Sequence, residues 1–256
     1  MRIQRMIMGA VLVAPAAVMA QIDEGDVVLG VTEADAIVTG AQVDGRIVYP
    51  VSVFTSELDD GFTDEPGFDS LSGTFDPGEV LGLDALRALH VWNGEDFWTI
   101  GEPVLTISKF GNEMATPECD HRVSEGFVFG NADEDGKFHH HVTYQLAPAD
   151  PGVYLLSLEV WSLDGAPTAS DPVHVVFDEP GHGFDAGEAA AWVEAHLFQL
   201  ACQADMSGDG MLNILDFVAM QTAFQSRSTR ADVNGDCELN ILDFVAFQAL
   251  FLAGCE

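Results

Sequence analysis

The chain is short of positive charge. Its 256 residues include 9 Lys and Arg against 42 Asp and Glu, which gives a formal net charge of −33. Charge of that sign repels nucleic acid and anionic lipid, and it attracts cations and basic partners. Low hydrophobicity does not accompany the shortage, because 48% of the residues are hydrophobic and 17 are Phe. The sequence therefore predicts a folded acidic protein with no nucleic-acid partner.

Long apolar runs are also scarce. The one at the amino terminus follows Arg2 and Arg5, is interrupted by Pro15 and ends in small residues at Ala20. It is too short for a membrane span, and its pattern predicts a secretory signal peptide over residues 1–20. Because no second such run follows, we expect a soluble protein that is secreted, extracellular or associated with the cell surface.

Motifs of common enzyme classes are missing as well. The sequence has no Walker loop, no HExxH helix and no serine nucleophile elbow. Glycoside hydrolysis needs two carboxylates at a set separation, and 42 acidic residues offer too many pairs to choose among. Trp92, Trp98 and Trp161 are candidates for a sugar-binding platform, although Trp in strand patterns more often packs in a core. We expect a binding or structural protein, with a carbohydrate-active enzyme or a polysaccharide-binding protein as an alternative.

Two patterns of apolar residues divide the rest of the chain. From residue 21 to 180, short alternating runs are separated by Gly, Pro and Asp, which predicts an all-β domain of antiparallel strands in a sandwich or jelly roll. Within it, LGLDALRAL at residues 81–89 predicts one or two helical turns. Residues 181–201 change to a helical period, with Asp185 and Glu188 in a capping-box pattern, and predict a linker helix.

The octapeptide LNILDFVA occurs twice, at residues 212–219 and 239–246. The first five residues of each copy complete a twelve-residue pattern with oxygen-bearing side chains at positions 1, 3, 5, 9 and 12. Calcium takes about six to eight oxygen ligands, and such a loop supplies them at alternate positions, including a backbone carbonyl at position 7. We therefore predict two calcium ions. Their ligands are Asp205, Ser207, Asp209, the Met211 carbonyl, Asn213 and Asp216 in the first loop, and Asp232, Asn234, Asp236, the Glu238 carbonyl, Asn240 and Asp243 in the second.

A metal-free alternative also fits the repeats. Asp and Asn favour turns and helix caps, so a duplicated Asx-rich turn would look similar. Identical offsets and nearly identical following helices favour calcium. Cys237 stands at position 6, where the sharp turn favours Gly, so the second site is expected to be strained.

The tandem pattern resembles a dockerin: Asp at positions 1 and 5, Asn at 9 and Asp at 12, in loop-helix repeats near the carboxyl end. Cys202 and the terminal Gly254-Cys255 resemble the dockerin-like variety that ends in Gly-Cys. The resemblance covers residues 202–256 and implies a small all-α domain, folded by calcium, that docks onto a cohesin-type or cell-surface receptor. The implied docking residues, at positions 10 and 11, are Ile214, Leu215, Ile241 and Leu242. Burial of these side chains in the module's own core is the alternative.

The four cysteines suit an exported protein. A module of about 55 residues is too small to rest on apolar burial alone. Cys202 and Cys255 bracket it, and we predict a disulfide between them, worth roughly 4 kcal/mol in the chain-entropy model. For Cys119 and Cys237, an interdomain disulfide and two free thiols are both open.

The stretch FHHHVTYQL contains the densest group of histidines. His139 and His141 fall on one strand face and could bind zinc or copper, while His140 falls on the other and is expected in the core. A third ligand would be a carboxylate or another histidine, namely His174, His121 or His90. The stretches GFTDEPGFDSLSGTFDPGEVLGL, LHVWNG, GKFHHHVTYQL, GVYLLSLEV and SDPVHVVFD, within residues 45–178, together resemble a secreted bacterial family of poorly known activity, with some members under zinc-responsive control. An extracytoplasmic zinc- or copper-binding protein is therefore a further alternative.

Overall fold

The computed structural model describes residues 25–255, and the signal peptide predicted over residues 1–20 lies outside them. Most of the regular structure is β-strand, as the sequence pattern predicts. The strands are β1 (Val27–Val31), β2 (Ile37–Val43), β3 (Arg46–Val48), β4 (Val53–Glu57), β5 (Phe62–Thr63), β6 (Phe68–Ser70), β7 (Val80–Ala85), β8 (His90–Val91), β9 (Thr99–Ile100), β10 (Val104–Lys109), β11 (Asn112–Ala115), β12 (Ser124–Asn131), β13 (His139–His140), β14 (Thr143–Ala147), β15 (Gly152–Ser162) and β16 (Val173–Glu179).

The strands form three sheets that are mostly antiparallel. One sheet has the order β13-β6-β1-β2-β3, and another the order β11-β10-β14-β5. The largest has the order β12-β7-β15-β16-β4, with β8 and β9 attached beside β15. Parallel pairing occurs between β1 and β6 and between β16 and β4.

All three sheets contribute to one hydrophobic core. The longest strand, β15, is buried over nearly its whole length, as expected for a strand between two neighbours with both faces covered. Large buried side chains from the three sheets meet in this core; examples are Leu29, Phe68, Ile107, Phe129, Tyr144, Leu158 and Phe177. We call residues 25–179 the β body.

The helical turns predicted at residues 81–89 are wrong. This stretch begins as β7, which pairs with β12 on one side and β15 on the other. Leu81 and Leu83 are buried, and a Cβ at Gly82 would lie 2.0 Å from the ring of Trp161. Packing between two strands therefore overrides the helical preference of Leu and Ala.

The helices follow the β body in the chain. They are α1 (Ala186–Ala195), α2 (Leu197–Ala201), α3 (Ile214–Gln225), a 3-10 helix (Thr229–Ala231) and α4 (Ile241–Ala253). Asp185 caps α1 by accepting hydrogen bonds from the amides of Gly187 and Glu188. The buried face of α1, which includes Val193, packs with Leu155 of the large sheet in a second apolar cluster. None of the helices within residues 25–255 is both long and apolar enough to cross a membrane.

Two disulfides tie the carboxyl-terminal residues. Cys202 is bonded to Cys255, the pair predicted from the sequence, and Cys119 is bonded to Cys237. The second bond joins the β body to the second of the two repeats. We call residues 202–255, which contain both repeats, the repeat segment.

Candidate functional site

Both repeats form a loop that leads directly into a helix. Asn213 is the N-cap of α3 and Asn240 is the N-cap of α4. In each repeat the Asp three residues later completes a capping box by accepting a hydrogen bond from the backbone of the N-cap residue. The residues at positions 9 and 12 therefore set the start of the helix as well as the end of the loop.

The last Asp of each loop also reaches back to its beginning. Asp216 accepts from the Asn213 amide at 2.7 Å with one oxygen and from the Ser207 amide at 2.9 Å with the other. A helix cap alone requires only the first of these bonds. The second closes the loop around its interior, which a simple capping turn does not do.

The first Asp of each loop holds the turn in the same way in both repeats. Asp205 accepts from the amide at position 6, Gly210, at 2.9 Å, and Asp232 accepts from its counterpart, Cys237, also at 2.9 Å. Gly210 and Cys237 have φ angles of 76° and 67°, so both adopt the left-handed conformation. For Cys237 this conformation is strained, because it carries a side chain.

The remaining predicted ligands lie against one another. The Asn213 side-chain amide donates to Asp209 Oδ2 at 3.0 Å and to the Met211 carbonyl at 3.1 Å. In the second loop the Asn240 side-chain amide donates to the Glu238 carbonyl at 3.2 Å. These oxygens and amides therefore line the same loop interior.

Carboxylates converge most clearly in the second loop. Asp232, Asp236 and Asp243 each offer an oxygen atom, and these three atoms lie within 4.8 Å of one another. Burial raises the pKa of Asp232 above its ordinary value, and the charges of Asp243 and Asp236 raise it further, against the hydrogen bond from the Cys237 amide. A divalent cation would relieve that repulsion.

The loops bury more negative charge than the two arginines of the repeat segment can neutralise. Asp205, Asp216, Asp232 and Asp243 are exposed by only 1%, 0%, 4% and 0%. From residue 202 to the end, the sequence has eight acidic residues and two basic ones, Arg227 and Arg230. Buried carboxylates need a counter-charge or a metal, since removing an unpaired charge from water costs on the order of several kcal/mol.

Arg230 acts at the junction of the repeat segment with the β body. Its guanidinium lies 4.0 Å from the ring centre of Trp98 and donates to the Asp205 backbone carbonyl at 3.3 Å. Burial lowers the pKa of Arg230 to about 10, so it keeps its charge at neutral pH. Gly235 packs tightly nearby, because a Cβ there would lie 3.1 Å from the backbone of His121.

The predicted docking residues lie on the outside of the exit helices. Ile214, Leu215, Ile241 and Leu242 are each more than half exposed, at 71%, 52%, 70% and 54%. They are therefore not buried in a core of the repeat segment. One turn farther along, the equivalent residues Val218 and Val245 are exposed by 55% and 57%, which extends both apolar faces in the same way.

The predicted histidines separate into two groups. The rings of His139 and His141 lie side by side, with their centres 5.3 Å apart. Asp26 joins them, and one ligand atom from each of the three lies within 4.8 Å of the others. His140 faces away from this pair: it packs against Phe138, with 4.7 Å between ring centres.

His174 is not part of that group. It lies on β16, where its Nδ1 is 2.9 Å from Ser157 Oγ, and burial lowers its pKa to about 3. His90 and His121 both lie beside Asp120, with nitrogen-to-oxygen distances of 3.3 Å and 3.7 Å. The three other histidines named as candidates for a third ligand therefore lie elsewhere, and His90 and His121 share the carboxylate of Asp120 without forming hydrogen bonds to it.

Of the three Trp residues considered for a sugar platform, Trp92 and Trp98 both pack against Trp192, with ring centres 6.0 Å and 5.3 Å apart, and Trp161 lies elsewhere. Trp92 is buried and packs on Phe97, with ring centres 5.0 Å apart. Trp98 stacks with Arg230, and Trp161 donates to Asp84 at 2.7 Å. They do not present a shared aromatic face.

Sequence reasoning named neither carboxylate beside the histidine pair. Asp26 precedes β1 and Asp69 lies on β6, far from residue 139 in the chain. No local motif marks them, because only the pairing of β13, β6 and β1 brings them to the histidines.

Comparisons with known proteins leave the chain unassigned. No family model matches it, and no curated protein matches it. Among solved structures, a family 123 glycoside hydrolase from Clostridium perfringens, studied for glycolipid glycan hydrolysis, is 13% identical with a TM-score of 0.29. The match covers 52% of this chain and 24% of that one. A likeness of this size carries no argument about function.

Proposed function

We propose that residues 202–256 are a dockerin-like, all-α module that binds two calcium ions and attaches the β body to a cohesin-type or cell-surface receptor. In this proposal the β body is an antiparallel sandwich that presents a ligand-binding or structural surface. The observation that carries the proposal is the burial of two carboxylates in each loop, at positions 1 and 12, in a segment with only two basic residues.

Calcium accounts for that burial better than a metal-free turn does. Asx turns account for the amide hydrogen bonds that Asp205 and Asp232 accept, and helix caps account for Asn213 and Asn240, but neither supplies a counter-charge for a buried carboxylate. Here Asp205 and Asp232 are buried away from the helix starts, where they add nothing to the caps. A hard cation with oxygen ligands explains why both loops place acids there.

The two exposed apolar faces support docking. Aliphatic side chains grouped on the surface mark interaction sites more often than isolated ones do. Because positions 10, 11 and 14 carry the same residues in both repeats, the module offers two equivalent faces. A receptor that recognises one face can therefore recognise the other.

Export to an oxidising compartment fits the same proposal. The structure has two disulfides and no free cysteine among residues 25–255. Disulfides persist in secreted proteins and are rare in reducing compartments. Together with the predicted signal peptide, this pattern supports a secreted or surface-attached protein.

Calcium binding is tested by two substitutions that remove the same charge. Asp243→Asn removes a predicted ligand from the second loop, whereas Glu238→Gln changes a side chain whose position supplies only its carbonyl. We expect Asp243→Asn to weaken one calcium site by at least about 10- to 100-fold, the loss seen even for second-layer metal partners. Glu238→Gln should change affinity only slightly. Equal effects of the two variants in calorimetry would mean that the loop does not bind calcium.

Docking is tested with a panel of purified cohesin-type domains, immobilised and exposed to the full chain. We expect binding to at least one domain in calcium and loss of binding in chelator. Replacing Ile214, Leu215, Ile241 and Leu242 with Ser should abolish binding, while changing one repeat alone should retain it. Absence of binding across the panel, or binding that survives the fourfold variant, would contradict the docking role.

A further inference from the structure

The histidine pair lies where the five-stranded sheet gathers two buried carboxylates. On this sheet His139 of β13 pairs with Asp69 of β6, and Asp69 pairs in turn with Val28 of β1. Asp26 immediately precedes β1, whose first amide donates to the Gly67 carbonyl. Three chain segments that are distant in sequence therefore meet at the two histidines.

One carboxylate oxygen of Asp26, Oδ2, is buried next to the histidine pair. Its side chain is buried, with the residue only 1% exposed. Oδ1 accepts from the Gly67 amide at 2.9 Å, whereas Oδ2 accepts from no backbone or side-chain nitrogen among the described residues. The Glu65 carboxyl lies beside Asp26, and burial together with Glu65 raises the pKa of Asp26 to about 6, against the charge of His141. A buried acceptor without a partner costs stability, so its retention calls for an explanation. The backbone is close-fitting here too, since a Cβ on Gly67 would lie 2.6 Å from the His141 ring.

His141 presents its other nitrogen to that oxygen. Its Nδ1 lies 3.1 Å from the Asp64 carbonyl. A carbonyl only accepts hydrogen bonds, so Nδ1 carries the proton and Nε2 of the neutral ring has a lone pair. Nε2 lies 3.8 Å from Asp26 Oδ2, too far for a hydrogen bond. Two ligands on a tetrahedral zinc ion lie roughly 3.3 Å apart, so a small closure of this gap would fit a metal between them.

His139 has an orienting carboxylate of its own. Its Nδ1 lies 3.2 Å from Asp69 Oδ2, a close contact without hydrogen-bond geometry, and Asp69 is fully buried. Asp69 is itself held, because its Oδ1 accepts from the Ser70 amide at 2.7 Å and lies 3.3 Å from Lys137 Nζ. A carboxylate or carbonyl behind the far nitrogen of the ring is the usual arrangement for metal-binding histidines.

We propose that Asp26, His139 and His141 bind a zinc ion on the β body, with Asp69 and the Asp64 carbonyl positioning the two rings. Two imidazoles and one carboxylate are a ligand set that zinc takes in proteins, and calcium disfavours imidazole nitrogen. Three protein ligands leave a fourth position for water or an exchangeable ligand. The side chain of His139 is 42% exposed, so that position is accessible from solvent.

The test uses the full chain, stripped with chelator and then saturated with calcium so that the two loops are occupied. Zinc is titrated calorimetrically, and cobalt(II) is titrated as a spectroscopic substitute. We expect one zinc ion per chain under these conditions. Cobalt should give the strong visible absorption of a four-coordinate site with nitrogen and oxygen ligands.

Variants assign the ligands. Asp26→Asn, His139→Gln and His141→Gln should each weaken zinc binding by at least about 10- to 100-fold and reduce the cobalt absorption. His140→Gln is the matched control, since His140 is the same residue type on the opposite strand face, and it should bind as the original chain does. If Asp26→Asn does not fold, as judged by near-ultraviolet circular dichroism, the two histidine variants decide the matter.

Three outcomes would overturn the proposal. They are the absence of zinc binding in excess calcium, zinc affinity unchanged in the His139 and His141 variants, and zinc binding that is lost on substituting Asp216 and Asp243 instead. The last outcome would place zinc in the calcium loops. The calcium proposal is tested by calcium titration and is independent of all three results.

Discussion

The β body and the repeat segment bury different kinds of side chain. The β body packs a core of aromatic and aliphatic side chains from three sheets. The repeat segment has a much smaller apolar cluster, centred on Met206, Met220, Val233 and Phe247. It buries four Asp side chains in its loops and leaves its most aliphatic helix positions exposed. Stability in the first region comes from apolar burial, and in the second it depends on whatever compensates the buried acids.

If the loops bind calcium as proposed, its removal should produce the largest difference between the two regions. At a calcium concentration about 1,000 times the dissociation constant, each site contributes about 4 kcal/mol of stability. The loss of two such sites should unfold so small a segment. In hydrogen exchange, chelation should remove the protection of amides in α3 and α4 and leave β15 and β16 protected. Protection of α3 and α4 that is unchanged by chelator would show that the acids are stabilised in some other way.

The disulfides offer the next largest effect. The Cys202–Cys255 bond spans 53 residues and lies wholly in the repeat segment, and its loss should cost about 4 kcal/mol in the chain-entropy model. Replacing both cysteines with Ser should therefore lower the denaturation midpoint of the repeat segment and leave the denaturation midpoint of the β body unchanged. As a control, the Cys119–Cys237 bond spans 118 residues across both regions. Its loss should lower the denaturation midpoint of the β body as well. If the two double variants lowered the midpoint of the β body equally, the assignment of the Cys202–Cys255 bond to the repeat segment alone would be contradicted.

Acid should affect the β body through His174. Burial lowers the pKa of His174 to about 3. An unfolded His has a pKa of about 6.5, so as the pH falls the unfolded state takes up the proton first. The protonation of His174 therefore costs no stability above about pH 6.5, and it lowers the free energy of unfolding progressively as the pH falls from there toward 3. At pH 5 the loss is about 2 kcal/mol.

Comparing His174→Gln with the original chain isolates this contribution. Urea unfolding of the β body at pH 5 and pH 8 should show a smaller pH dependence in the variant. The repeat segment contains no histidine, so its own acid response should reflect protonation of the acids proposed as calcium ligands. An identical pH dependence in the two proteins would mean that His174 is protonated in the folded state.

The smallest effect is expected at the exposed apolar faces. Ile214→Ser and Ile241→Ser together should change the free energy of unfolding by no more than about 0.5 kcal/mol per site, as for most surface substitutions. Phe247→Ala is the contrasting variant, because Phe247 is fully buried and its loss should cost about 3–5 kcal/mol. Thermal unfolding in calcium measures both. A large loss from the two Ile substitutions would indicate that these side chains pack internally.

Prediction from the sequence succeeded where the information is local. Asp185 marks the start of α1 as its capping pattern predicts, and α3 and α4 follow the two loops directly, as the repeats predict. The alternation of apolar residues predicted the β-rich character of residues 25–179. These features need no knowledge of the rest of the chain.

Prediction failed or stopped where distant segments meet. β7 was expected as helical turns because its Leu and Ala residues favour helix, and only its neighbours β12 and β15 decide otherwise. The partner of Cys119 was left open for the same reason, since 118 residues separate it from Cys237. Asp26 lies beside the histidine pair because β1 pairs in parallel with β6, and no sequence pattern predicts that pairing.

Calcium stoichiometry of the full chain tests the central claim most directly. After removal of metals by chelation, calorimetric titration should show two calcium ions bound per chain, together with a gain of helical circular dichroism. The same titration of a variant carrying Asp216→Asn and Asp243→Asn should show neither. Titration of the original chain without calcium uptake, or with helical signal already complete in chelator, would contradict the account of the repeat segment as a fold held by two cations.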